Sequence, residues 1–291
     1  MITTHWTSGN VSDPAVELRN GLLDPGAVIG MQKYTLHRNQ KAFEGQAKGF
    51  SSRGDTYADE EDLAWMLADL PMSGEATALD VATGTGEFAR ALAPHVSSVV
   101  GLDATDAMLE KGKSFVQQHG IANITFQKGV VEELPFKSGT FDIVASRYAF
   151  HHFADPKPVL AEMTRVCKTG GHLIVVDIVV PETSTATVYN YYEWLCDRSH
   201  TRCLELAELQ SLYRLFGMEA ISARSRDVEE SVVSWLDFSL TPQIDQEAIL
   251  HALNEELNGR ARTGLSPTRR NSDLYFRQRT AVVVGRKSSP H

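Results

Sequence analysis

Between Thr77 and Val180, five short apolar runs alternate with helix-like segments, and this rhythm leaves the chain little choice of architecture. The runs are TALDVA (77–82), SSVVGLD (97–103), ITFQKG (124–129), FDIVASR (141–147) and HLIVVDIVV (172–180). GEFARALAPHV, TDAMLEKGKSFVQQHG and DPKPVLAEMTRVCKTGG lie between them, the last ending in the helix stop signal Lys168-Thr169-Gly170-Gly171. Strands alternating with helices imply a parallel sheet covered on both faces. Right-handed crossovers then make the sheet doubly wound. Ahead of the repeat, ADEEDLAWMLADL carries Leu63, Met66, Leu67 and Leu70, the stripe of an amphipathic helix, with acids at its start where free N–H groups favour negative charge. Beyond Pro181 the regularity breaks. An aromatic-rich helical stretch, a strand MEAISARSRDV, a second helical block near 230–260 and a last strand QRTAVVVGRK (278–287) follow. The expected organisation is an arm or cover over 1–58, then a Rossmann-like α/β domain over 59–291 with a mostly parallel seven-stranded sheet. Helical cap insertions are expected at about 181–215 and 230–260.

Bulk properties exclude several partners. The 291 residues suffice for one large domain, and 42% apolar content is that of a globular chain. A net charge of −9 disfavours nucleic acid, which needs a basic face. No apolar run approaches bilayer length, and the polar start MITTHWTSGNVSDPAVELRNG has no apolar signal region. Cys167, Cys196 and Cys203 are too few and too unevenly spaced for a disulfide framework. They predict reduced thiols and a cytoplasmic location.

The first strand ends in LDVATGTGEFARAL. Ligands of open α/β sheets bind beyond the carboxyl ends of the strands. Gly84 and Gly86 let the backbone turn and come close to a ligand. Asp103 closes the second strand, where a carboxylate can accept from both hydroxyls of a ribose. Gly84-x-Gly86-x-x-Ala89 alone also fits an NAD fingerprint. Two features oppose a dinucleotide. Asp80 stands just before the loop, where it would repel a pyrophosphate and attract an ammonium group. The loop itself has no Lys or Arg to pair with phosphate.

These residues carry a family resemblance. LDVATGTG, VVGLDATDAML, EELPF, FDIV and the HHF after the fourth strand resemble motifs of class I S-adenosylmethionine-dependent methyltransferases. The branch most similar is the small-molecule one that includes the ubiquinone/menaquinone-type C-methyltransferases. FEGQAKGF (43–50) resembles that branch's F-x-x-x-A-x-x-Y/F element, and DRSHTR (197–202) resembles a cap segment of the same group. The likeness covers about Phe43 to Lys287. It implies S-adenosyl-L-methionine as cofactor. Its methionine part and sugar would lie against Asp80, Ala82, Thr83, Gly84, Gly86 and Arg147. Asp103 and Ala104 would meet the ribose, and Met108 would flank the adenine. Gly129, Val130, Val131 and Glu132 would line the adenine edge, and Phe50 would close over the cofactor. Two positions depart from the pattern. Ala82 replaces the usual first glycine, though alanine is frequent in this branch, and Val130 replaces an Asp that commonly meets the adenine amino group.

The acceptor side is read from fewer signals. His151 and His152 sit at the mouth of the fourth strand, either as a solvated or capping pair or as the base that removes a proton as the methyl arrives. Cys196, His200 and Cys203 share one face if their helix is continuous. They match no zinc signature, so no metal is expected. His200 and Arg202 are candidates for the substrate pocket, with Tyr192 from the aromatic run VYNYYEWL. The expected reaction is methyl transfer to a small, planar or apolar organic acceptor at O, N or C. Membrane binding is not expected, and the arm is a candidate contact in a homodimer. A cofactor-binding protein that does not methylate and, more distantly, an NAD-dependent oxidoreductase are the alternatives.

Overall fold

The computed structural model describes residues 25–47 and 60–289. The expected role of Phe50, and most of the expected arm, fall outside the described residues. The strands are β1 (Thr77–Val81), β2 (Ser98–Asp103), β3 (Ile124–Lys128), β4 (Phe141–Arg147), β5 (Cys167–Ile178), β6 (Met218–Ser231), β7 (Thr268–Arg270) and β8 (Asp273–Lys287). They form a single sheet in the order β3-β2-β1-β4-β5-β8-β6, with β7 paired to β8. The first five strands in this order are parallel, and β8 runs antiparallel to both β5 and β6. The eighth strand, β7, is a three-residue hairpin partner that sequence periodicity cannot register.

Period-two alternation divides the sheet between two cores. Leu79, Val81, Leu173 and Val175 face one side, and Ala78, Ile174 and Val176 face the other. The helices are α1 (Pro25–Gln46), α2 (Glu60–Leu67), α3 (Glu87–Leu92), α4 (Asp106–Gln118), α5 (Pro156–Val166), α6 (Ala186–Cys196), α7 (Leu206–Leu215), α8 (Val232–Phe238) and α9 (Gln243–Leu257). Met66 and Leu67 of α2, with Phe88 and Leu92 of α3, cover the second face. Leu160 and Met163 of α5, with Leu209, Leu212 and Tyr213 of α7, cover the first.

Two expectations change. The helix α7 lies within the expected 181–215 cap, yet its Tyr213 hydroxyl donates to the Val283 carbonyl at 3.0 Å and its apolar side is sheet core. It is a layer of the domain rather than cap. The stretch from 186 to 215 is also not one helix. Asp197 ends α6, and its Oδ1 accepts from the Ser199 N–H at 2.7 Å, a local turn that competes with helix continuation. Cys196, His200 and Cys203 therefore do not share a helix face, and no group of three metal-ligating side chains exists among the described residues. The cap core is built instead from Tyr189, Leu195 and Cys196 of α6, Val232 and Leu236 of α8, and Ile249 and Leu253 of α9, over Phe276 of β8. No described helix is long and apolar enough to cross a membrane.

Candidate active site

A cavity of about 820 Å³ opens at the carboxyl ends of β1, β2 and β4, where the strand order reverses between β1 and β4. Asp80 lies on its wall, only 1% exposed. Its Oδ2 accepts from the Thr83 hydroxyl at 2.5 Å, and its Oδ1 is buried with no hydrogen bond. Burial pushes this carboxyl up to about 7, against the opposing pull of Thr83 and of Arg147. A buried carboxylate oxygen without a donor, facing a cavity, fits a cationic ligand group.

The loop after β1 turns through left-handed residues, Ala82 at φ 57°, Gly84 at φ 56° and Gly86 at φ 83°. A Cβ on Gly84 would meet nothing within 4 Å; it would project into the open space of the cavity. Gly86 has a different reason, since a Cβ there would lie 2.7 Å from the Phe126 ring. Gly84 N–H donates to Asp103 Oδ2 at 2.9 Å, and Thr105 N–H donates to Oδ1 at 2.8 Å. One donor per oxygen holds the carboxylate and leaves each oxygen a further lone pair. Burial raises the Asp103 carboxyl above its ordinary value. Ala82, Thr83, Ala104, Met108, Val131, Glu132 and Arg147 also line the cavity. Gly129 and Val130 do not line it. Gly129 instead donates its N–H to the Asp103 carbonyl, and a Cβ there would meet Leu102 at 2.8 Å. Arg147 pairs with Glu87 and keeps a buried, unpartnered Nη1 on the cavity wall. The orphaned Asp80 oxygen, the Gly84 opening and the held Asp103 carboxylate together fit the ammonium, the backbone and the ribose of S-adenosylmethionine.

The histidines lie on the same cavity. They sit in a 3-10 turn, Phe150–His152, entered through Tyr148 at φ 51°, an unusual conformation for a bulky residue. Asp177 in β5 anchors the turn. Its Oδ2 accepts from Phe150 N–H at 2.5 Å, and its Oδ1 accepts from His151 Nδ1 at 2.5 Å. This bond leaves His151 Nε2 as the free nitrogen. Burial works against the charged imidazole, but Asp177, with Glu193 and Asp197 beyond it, more than offsets this and raises His151 above its ordinary value. His152 has the opposite fate. Ser199 gives its only proton to Asp197 Oδ1 at 2.6 Å, so His152 Nδ1 donates to Ser199 Oγ at 3.1 Å. Burial and the adjacent His151 push His152 down to about 4. His200 is buried, and its Nε2 donates to Asn190 Oδ1 at 3.0 Å. Burial drives it well below the ordinary histidine value.

The helix α1 lies over this arrangement. Gln40 donates to the Ala104 carbonyl at 2.9 Å and Asn39 to the His152 carbonyl at 2.9 Å. Arg38 donates to the Ser199 carbonyl at 3.0 Å, and Gln46 to Asp197 at 3.1 Å. The Phe43 ring meets His152 edge-on at 5.0 Å. One helix thus ties the ribose side of the cavity to the cap.

Of the expected acceptor residues, only His200 lines the cavity. Tyr192 packs on the cap core away from it, and Arg202 is held by Glu208 through two bonds of 2.7 Å. The aromatic surface comes instead from Phe43, Tyr148, Phe153, Trp235 and Phe238. Sequence reasoning missed Asp177, Glu193, Gln278 and α1's polar side chains. An acid alone among the apolar residues of HLIVVDIVV was the available signal for Asp177. Nothing local marked the others.

Comparison with known proteins gives the family. The methyltransferase domain family matches residues 79–175. The uncharacterized methyltransferase YcgJ of Bacillus subtilis is 34% identical over 212 residues, 70% of this chain and 84% of that protein. The ubiquinone/menaquinone biosynthesis C-methyltransferase UbiE of Idiomarina loihiensis is 29% identical over 57% of this chain and 71% of its own length. The crystal structure of YcgJ superposes with a TM-score of 0.73 at 30% identity, over 80% of this chain and all of that one.

Proposed function

The chain belongs to the class I S-adenosylmethionine-dependent methyltransferases, and from that premise we propose that it methylates a small organic acceptor using His151 as the base. The observation that carries the reading is His151, bonded to Asp177 behind it, on the wall of the cavity that Asp80 and Asp103 also line. The cofactor supplies an electrophilic methyl on a positively charged sulfur. Asp80, Gly84, Asp103 and Met108 hold it, and Val131 and Glu132 border its base. Asp177 fixes the His151 tautomer with Nδ1 protonated, so that Nε2 takes the proton of the attacking atom. His152, kept neutral, packs between His151 and Phe43 and positions rather than titrates. The helix α1 excludes water and holds the acceptor, and placement supplies much of the rate.

The compartment and the class of partner follow from the same features. Three buried cysteine thiols suit a reducing cytoplasm, and an acidic chain suits a small-molecule acceptor over nucleic acid. The test is transfer of label from methyl-labelled S-adenosylmethionine to a panel of amines, phenols, carboxylates and acidic carbon compounds. Labelled product is expected with the intact protein, falling at least tenfold in His151→Asn. Saturable binding of S-adenosylhomocysteine with no labelled product from any class would overturn the methylating assignment. Saturable binding of NAD instead would overturn the cofactor.

A further inference from the structure

Beyond the cofactor side, the cavity continues toward β6, β8 and the cap, and two acids line it there, Glu193 within electrostatic reach of His151. Glu193 of α6 is only 4% exposed and lines the cavity. Its Oε1 accepts from Gln278 at 3.2 Å, and the Tyr189 hydroxyl lies beside the same carboxylate. Gln278 pairs with Val228 across the sheet, and Glu230 pairs with Phe276, two residues along each strand. Directly paired residues point to one face, so Gln278 and Glu230 stand side by side, both lining the cavity. Burial raises Glu193 and Glu230 above the ordinary carboxylate value. Arg226 on β6 pairs with Asp62, Arg198 after α6 pairs with Asp245, and Arg147 on the cavity wall pairs with Glu87. Trp235 lies tilted against Phe276, with ring centroids 4.6 Å apart, and with Phe238 supplies aromatic surface on the same chamber.

We propose that this chamber is built for an acceptor that carries a basic nitrogen and binds as an organic cation, with its positive group between Glu193 and Glu230 and its apolar part against Trp235 and Phe238. The proposal rests on the methyltransferase reading and narrows it to one acceptor class. The physical case is desolvation. An anionic acceptor would meet two partly or fully buried carboxylates, and a neutral one would bring no positive charge to compensate them. A cation satisfies both acids, and aromatic faces attract it further. The same placement puts a protonated acceptor near His151, where loss of a proton must precede attack if the basic nitrogen is itself the methylated atom.

The experiment compares benzylamine, benzyl alcohol and benzoate as probes of matched size. Their affinities are measured by calorimetry or ligand-observed NMR on the full chain loaded with S-adenosylhomocysteine at pH 7.5. Benzylamine is expected to bind at least tenfold tighter than benzyl alcohol, with benzoate weakest. Glu193→Gln and, separately, Glu230→Gln should each reduce that preference at least threefold, with S-adenosylhomocysteine affinity held within threefold as the check on folding. The proposal is overturned if benzyl alcohol or benzoate binds as tightly as benzylamine. It is also overturned if the preference survives both substitutions. Either outcome leaves S-adenosylhomocysteine binding intact, so it separates a wrong acceptor class from a wrong cofactor assignment, which would show as loss of that binding in the unmodified protein.

Discussion

The Asp80 carboxylate should destabilise the empty protein that it equips for cofactor binding. Its folded-state value of about 7 stands roughly 3 units above that of a free aspartate. For an acid raised on folding, the native state holds the proton more tightly than the unfolded state. Stability is therefore lost as pH climbs from about 4 to about 7, and the loss is complete above that. At about 1.4 kcal/mol per unit, the full cost approaches about 4 kcal/mol. Asp80→Asn removes the charge, keeps the shape and retains an acceptor for the Thr83 hydroxyl. Its amide would still be buried without a full set of partners, at about 1–2 kcal/mol. A net gain of about 2–3 kcal/mol is expected at pH 8, seen as a rise of roughly 4–6 °C in melting temperature. At pH 4 the gain should reverse to a loss of about 1 kcal/mol, because the folded wild-type side chain is then neutral and little but the cost of the buried amide remains. S-adenosylhomocysteine should bind roughly 30–150-fold more weakly to the variant, the equivalent of about 2–3 kcal/mol for a lost charge-assisted bond. Thermal melts of both proteins across pH 4–8, with calorimetric titration at pH 8, decide the matter. An equal gain at both ends of the range would mean that the effect is packing. Unchanged ligand affinity would mean that the cationic group lies elsewhere.

Three further outcomes test other parts of the site. Gly84→Val should abolish S-adenosylhomocysteine binding, because its side chain enters the cavity, while the φ of 56° costs the fold about 1–2 kcal/mol; a dissociation constant within threefold of wild type refutes the placement of the loop. Ala82→Gly should raise stability by about 0.5–1 kcal/mol in urea unfolding, relief of the left-handed φ of 57° outweighing the added freedom of the unfolded chain, and a loss of stability would show that Ala82 is not strained. Asp177→Asn should lower turnover roughly 10–100-fold and move the ascending, acidic limb of the pH–rate profile to lower pH. The sign follows from His151. Its raised value means that it becomes a base only as pH rises past that point, and without the carboxylate it deprotonates earlier. An unshifted limb would remove His151 from the reaction.

The sheet and the cofactor side were legible in the sequence because their signals are local. Alternating faces in TALDVA and HLIVVDIVV, and glycines that must adopt positive φ beside an isolated acid, are properties of contiguous residues. The acceptor side follows from contacts between distant segments, and there local reading misplaced residues. The aromatic density of VYNYYEWL suggested a pocket wall, but a helix turns its residues around an axis. Tyr189 faces the cap core, and Tyr191 and Trp194 stack on each other at the surface. The residue of that helix that reaches the cavity is the one that looked least suited to an apolar cap, Glu193. The same inversion holds for the histidines. Their adjacency made them look equivalent, yet Asp177, 26 residues on from His151, raises one, while burial and the neighbouring His151 lower the other to about 4. Division of labour between two identical side chains is set by partners that only the folded chain supplies. In this chain an acid buried at an energetic cost marks function more reliably than an aromatic cluster does. Asp80 and Glu193 are both buried on the cavity wall, where burial raises their carboxyls, and Asp177 is buried behind the histidine that it holds there.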